Sequence, residues 1–203
     1  MQRRFVESGM EIEFPVDWEI LNYDAVAERW RPTPQKLFPC AVDFILLKPG
    51  KKICLLELKG FAGFGPSNRH KLSDGSLEES ISLKVRDSIA GVIGFARTGD
   101  VSASFAPFAK ALGDCALRME ITLWIEVDPA LFQQREKRLI DWRGGKQETI
   151  RRNIEKARDQ RHSTFLNRMK KGLAWASSEV QICNRGNIGV LFPGTTVRDV
   201  SAN

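Results

Sequence analysis

Two apolar runs, Ala41 to Leu47 and Ile53 to Leu58, stand on either side of Lys48-Pro49-Gly50-Lys51. Proline presets φ for the first turn position, and glycine supplies a positive φ at the next. The pair therefore predicts a β-hairpin. Both runs are apolar at positions of either parity, the mark of strands covered on both faces. Asp43, Glu57 and Lys59 break this pattern. Acids and lysines are seldom buried without partners, so these three need an explanation.

The rest of the chain alternates helical and strand periods. Met10 to Val16 alternates weakly and predicts a short strand. Trp18, Ile20, Leu21, Ala25, Val26 and Trp30 recur at helical spacing after a capping Asp17, and Arg31-Pro32-Thr33-Pro34 ends that helix. The clearest helix runs from Leu77 to Arg97. Ser76 is its N-cap, Glu78 and Glu79 lie in its first turn, and Ile81, Val85, Ser88, Ile89 and Val92 form a stripe. Phe105 to Asp114 predicts a short helix. Arg118 to Val127 predicts a strand, with Met119, Ile121, Leu123, Ile125 and Val127 on one face and Glu120, Thr122, Trp124 and Glu126 on the other. Leu131 to Trp142 predicts a helix, and Gln147 to Ser177 one long charged helix. Glu179 to Cys183 and Asn187 to Leu191 predict short strands around an Asn184-Arg185-Gly186-Asn187 turn. Thr195 to Asn203 is polar and is expected to fray.

Register decides what the hairpin acids do. If a three-residue loop pairs Lys48 with Lys52, Asp43 falls opposite Glu57, and both share a face with Lys59. Opposed carboxylates repel unless a cation lies between them, and a hard divalent ion such as Mg²⁺ takes oxygen ligands. If a two-residue turn pairs Lys48 with Lys51, Asp43 faces Leu56 and the acids point to opposite faces. The charges are then strand-end groups in water. Both registers are open at this point.

Composition narrows the class. The 203 residues suit one domain, and 42% hydrophobic with 28% charged residues is an ordinary globular balance. The net charge of +6 suits a polyanion partner. Four cysteines without a Cys-x-x-Cys pair, and only two histidines, argue against a zinc site. No apolar run reaches membrane-span length, and the first residues lack a signal-peptide core. A cytoplasmic location with reduced thiols is expected, and no membrane partner.

Asp43, followed after an interval by Glu57-Leu58-Lys59 on the second strand of a hairpin and then by a helix, resembles the core of the PD-(D/E)XK, or restriction-endonuclease-like, nuclease superfamily. Val42 stands where the strict motif has proline. The resemblance covers roughly residues 17–127. It implies an α/β fold with an αβββαβ core, a mixed sheet flanked by helices. The core is then about 17–127 plus 178–192, with an extra basic helical elaboration at about 131–177. It also implies a metal-dependent endonuclease that hydrolyses phosphodiester bonds. In that reading Asp43, Glu57 and the backbone carbonyl of Leu58 hold Mg²⁺ or Mn²⁺, Lys59 assists the attacking water, and Lys84 completes the site from the following helix. Asp24 or Glu28 on the first helix is the candidate additional acid. Arg69, His70 and Lys71, in the glycine-rich stretch after Lys59, and Arg151, Arg152, Lys170 and Lys171, in the long charged helix, are the candidate nucleic-acid contacts. The expected partner is nucleic acid, DNA ahead of RNA. The chain is expected to act as a homodimer or as a subunit of a larger restriction, phage-defence, repair or mobile-element system. The rival expectation is an inactive nuclease-fold subunit that binds nucleic acid or serves as a structural component.

Overall fold

The computed structural model describes residues 3–23, 25–26, 40–50, 52–60, 75–97, 102–126 and 147–200. Its centre is a five-stranded mixed sheet in the order β3-β4-β5-β6-β7. The strands are β3 (Glu19–Asn22), β4 (Phe44–Lys48), β5 (Lys52–Gly60), β6 (Arg118–Glu126) and β7 (Glu179–Cys183). β3, β4 and β5 run antiparallel, whereas β5, β6 and β7 are parallel. Parallel neighbours need crossover connections. Between β5 and β6 the chain forms helices α1 (Ser76–Phe95) and α2 (Ser102–Gly113). Before β7 it forms α3 (Gln147–Leu173).

Each face of the sheet has its own core, and the sequence parity shows which. The odd-numbered Ile45, Ile53, Leu55, Ile121 and Leu123 pack with Leu77, Ile81, Val85, Phe105 and Phe108 under α1 and α2. The even-numbered Phe44, Leu46, Cys54, Leu56, Leu58 and Trp124 face a second layer. That layer is a three-stranded antiparallel sheet in the order β1-β2-β8, from β1 (Arg4–Glu7), β2 (Met10–Glu13) and β8 (Thr196–Asp199). Phe5 and Phe14 pack edge-on against Phe44, with ring centroids 5.1 and 5.6 Å away. This cover explains why the central strands carry almost no alternation of polarity. Even the even-numbered face of β6 is enclosed. Glu120, 5% exposed, is held there by Lys48 at 2.7 Å and Lys52 at 2.6 Å.

Several expectations change. The helix read from Trp18 onward does not begin there, because residues 19–22 are a strand. Ile20 is buried in the second-layer core and Leu21 under the helices, a two-residue period that only a strand allows. Helical geometry starts at Tyr23. Its cap is Asn22, whose Oδ1 accepts from the Ala25 N–H at 3.2 Å, and not Asp17. At α1 the N-cap is Gly75, at φ 89°, and Ser76 is already helical. The expected strand at 187–191 is a short helix, α4 (Ile188–Leu191). Asn184 sets it up: its Oδ1 accepts from Gly186 N–H, and its carbonyl from Asn187 N–H. The tail does not fray across 196–199, since β8 pairs with β2 along its whole length. The long charged helix ends at Leu173 instead of Ser177, and it is more than an elaboration: Phe165, Met169 and Leu173 are part of the core under α1. Leu131 to Trp142 and Val127 lie outside the described residues.

One glycine joins the two layers. A Cβ placed on Gly60, the last residue of β5, would lie 2.9 Å from the backbone carbonyl oxygen of Ser8 in the β1–β2 turn. Backbone cannot swing aside as a side chain can. Gly60→Ala is therefore expected to cost about 1–3 kcal/mol, as overpacking does, and urea unfolding beside the parent measures it.

Candidate active site

β4 and β5 adopt the first of the two registers. Lys48 pairs with Lys52 and Phe44 with Leu56, so the next position along sets Asp43 against Glu57. Gly50, at φ 82°, carries the positive φ of the turn. By parity Asp43, Glu57 and Lys59 fall on the face that α1 covers. The alternative register, with the acids on opposite faces, does not occur.

Asp43 is fixed from three sides. Its Oδ2 accepts from the Leu58 N–H at 2.6 Å. Its carbonyl accepts from Tyr23 N–H, and the preceding Val42 N–H donates to Ser88 Oγ of α1 at 2.9 Å. The side chain is buried, and burial is the largest influence on its acidity. Repulsion from Glu57 adds to it, while the Leu58 hydrogen bond and Lys84 oppose it. Its pKa rises from 3.8 to about 7.

Glu57 is 1% exposed. Two ammonium groups meet it. Lys59, two residues on along the same strand, lies 2.5 Å from Oε1. Lys84 of α1 lies 2.8 Å from Oε1 and donates to Oε2 at 3.0 Å. Oε1 itself accepts no hydrogen bond of good alignment, so its contacts are ionic rather than directional. Lys84 reaches the site because α1 presents Ile81 and Val85 to the sheet and turns the position between them toward the end of β5. Its neighbour Asp87 pairs with Arg86, at 2.7 Å, and not with Lys84.

The fold thus brings Asp43, Glu57, Lys59 and Lys84 together around Leu58. It says nothing of Asp24, Glu28, Arg69, His70 and Lys71, which lie outside the described residues. Lys170, Lys171 and Arg152 are exposed on α3; Arg151 lies on the same helix. One acid escaped the sequence reading. Glu7, at the end of β1, is close enough to add to the rise at Asp43. The Ser8-Gly9 dipeptide was the available sign, because it marks a turn that places a strand before Met10.

The oxygen donors are of the hard type that Mg²⁺ and Mn²⁺ prefer. Asp43 and Glu57, opposed across the hairpin, supply donors of this type, and in this structure Glu57 Oε1 is met by the ammonium groups of Lys59 and Lys84. Among the described residues, no helix is long and apolar enough to cross a membrane. The four cysteines are all free thiols. No family model, curated protein or solved structure matches this chain.

Proposed function

We propose that the chain is a metal-dependent endonuclease of the PD-(D/E)XK kind, acting on phosphodiester bonds of DNA in preference to RNA. The observation that carries this reading is the pairing of Asp43 with a buried Glu57 that two lysines from different elements hold in place. A structural ion pair needs one lysine. Here two lysines face two acids, and Asp43 is held toward its protonated form by burial and by Glu57; a cation between the two carboxylates would favour ionisation of both.

In this reading Asp43, Glu57 and the Leu58 carbonyl hold Mg²⁺ or Mn²⁺, which polarises a phosphate and lowers the pKa of a bound water. Lys59, with a side chain 31% exposed, offers its ammonium both to Glu57 and to the outside, where it offsets charge that builds on the phosphate. Lys84 holds Glu57 in its rotamer and keeps the site positively framed. The mixed sheet with β3, β4 and β5 antiparallel and β6 parallel to β5 is compatible with a restriction-endonuclease-like core. A cytoplasmic setting suits four free thiols, and action as a homodimer or within a larger defence or repair complex belongs to the same proposal.

Plasmid incubated with the protein and Mg²⁺ or Mn²⁺ is expected to be nicked or linearised, and EDTA is expected to stop it. A chain that binds nucleic acid yet cuts neither DNA nor RNA with either metal is a binding subunit, and the enzymatic reading is then wrong.

A further inference from the structure

We propose that Lys59 and a divalent cation are alternative partners of Glu57, so that Lys59 must swing off Glu57 Oε1 before the cation can bind there. The inference rests on the metal-dependent reading and deepens it: it names what regulates loading of that same site.

Two ammonium groups crowd one carboxylate oxygen. Lys59 lies 2.5 Å from Oε1 and Lys84 lies 2.8 Å from it. Lys84 also donates to Oε2 at 3.0 Å, so it holds the carboxylate by both oxygens. Oε1 accepts no aligned hydrogen bond, and charge alone keeps Lys59 there. Glu57 is enclosed, whereas the Lys59 side chain is 31% exposed and that of Lys84 18%. Lys59 therefore has the easier route to water. Its backbone is paired with Ile125 of β6, and the exchange is a rotation of the side chain about its own bonds.

The far end of the hairpin shows two lysines bound for structure. Lys48 and Lys52 donate to different oxygens of Glu120, at 2.7 and 2.6 Å. Lys48 also donates to the Leu191 carbonyl at 3.4 Å and lies 4.1 Å from the centre of the Phe192 ring. Each oxygen of Glu120 has its own directional bond, and Lys48 has further partners that hold it in place. At Glu57 both ammonium groups meet Oε1, and Lys59 has no such second anchor in β5 or α1. That oxygen is built for a partner that can be exchanged.

A divalent cation attracts the carboxylate with twice the charge of an ammonium and takes several oxygens at once. Asp43, opposed to Glu57 across the hairpin, supplies another. Lys84 stays behind, so Glu57 keeps a positive neighbour throughout and the exchange does not strand a buried charge. Competition from Lys59 lowers the apparent affinity for the cation, and the released ammonium becomes available to a phosphate.

The test has two readouts, neither of them cleavage. The first is Mn²⁺ binding without nucleic acid, followed by the electron paramagnetic resonance of the free ion. Lys59→Met keeps an unbranched stem and removes the charge. It should bind Mn²⁺ about tenfold more tightly than the parent, while Asp43→Asn should lose the binding and so place the ion at this site. The second readout uses the parent chain and does not depend on how a variant folds. An amine-directed ester, with products read by mass spectrometry, should label Lys59 about threefold or more faster in saturating Mn²⁺ than in EDTA, because the amine is then in water without a carboxylate partner. Mn²⁺ affinity in Lys59→Met no better than the parent's overturns the proposal. So does acceleration at Lys84 instead of Lys59, or labelling of Lys59 that the ion leaves unaltered. EDTA-sensitive cleavage with unaltered labelling sinks the exchange and leaves the nuclease reading standing. Both readouts as expected, with neither DNA nor RNA cut, sink the nuclease reading and leave the exchange standing. A parent chain that takes up no Mn²⁺ sinks both.

Discussion

Glu57→Gln should reduce metal-dependent cleavage by about a thousandfold or more, since losing one ligand of a catalytic cation costs several kcal/mol of transition-state stabilisation. Nucleic-acid affinity should stay within about twofold of the parent, because phosphate attraction sums over the basic surface and one site contributes little of it. The substitution also leaves Lys59 and Lys84 without their shared partner. Breaking a buried pair from one side costs about 3–5 kcal/mol. The low end applies, because side chains 31% and 18% exposed can turn toward water. Lys59→Ala separates the two effects. It should abolish cleavage equally while costing little stability, since Lys84 still balances Glu57. A nicking assay beside a binding titration measures both. If Glu57→Gln cuts at the parent's rate with Mg²⁺ present, the assigned site is wrong.

Asp43→Asn is expected to stabilise the metal-free protein at pH 8 while eliminating cleavage. The folded-state pKa of Asp43, about 7, lies above its unfolded value of 3.8. The folded chain therefore holds the proton more tightly. The stability this gives is complete below about pH 4, declines as pH rises toward 7, and is gone above it. Each pKa unit corresponds to about 1.4 kcal/mol, so the whole effect has a ceiling of ~4 kcal/mol. Asparagine cannot ionise, and its amide oxygen still accepts from the Leu58 N–H. The variant should match the parent near pH 4 and exceed it by about 2–3 kcal/mol at pH 8. Urea unfolding across that range in EDTA shows the divergence. A variant less stable than the parent at pH 8 would mean that Asp43 is not held against its own charge. Mg²⁺ should close the gap, because a cation that binds only the folded parent stabilises it by mass action.

The parts of this arrangement that were legible in the sequence are the local ones. Pro49-Gly50 gave the turn, but two registers stayed open, and only the pairing of Lys48 with Lys52 puts Asp43 and Glu57 on one face. A four-three-four apolar stripe gave α1 and pointed to Lys84. What was not legible depends on partners distant in the chain. Residues 19–22 read as helix because a strand only four residues long ran straight into a helical turn, and Ile20 and Leu21 satisfied both periods. β8 read as a fraying tail because Thr196, Arg198 and Asp199 are polar, and only Val197 packs against the core. It is a strand because β2 offers it a ladder. Glu7 could not be placed beside Asp43 until the turn at Ser8 was seen to press on Gly60. The missed α4 followed from side-chain hydrogen bonds of Asn184 and Asn187, which compete with strand pairing and leave no hydrophobic trace.

Strand β2 has β1 as one neighbour and β8 as the other, with most of the chain between them in sequence. This fixes an order of events at the ribosome. The β4–β5 hairpin that carries Asp43 and Glu57 can form soon after it is synthesised, from contacts near in sequence. The covering layer is completed only when β8 emerges. Ile188 and Phe192, both enclosed with Leu46, Leu56 and Trp124, come from the last stretch before β8. Until they emerge, that face of the central sheet has only the β1–β2 segment to cover it, and the part they enclose is aggregation-prone. A nascent chain stalled before residue 188 therefore presents its acids in register on an unfinished protein, and holdase chaperones have their clearest target on the face opposite the acids.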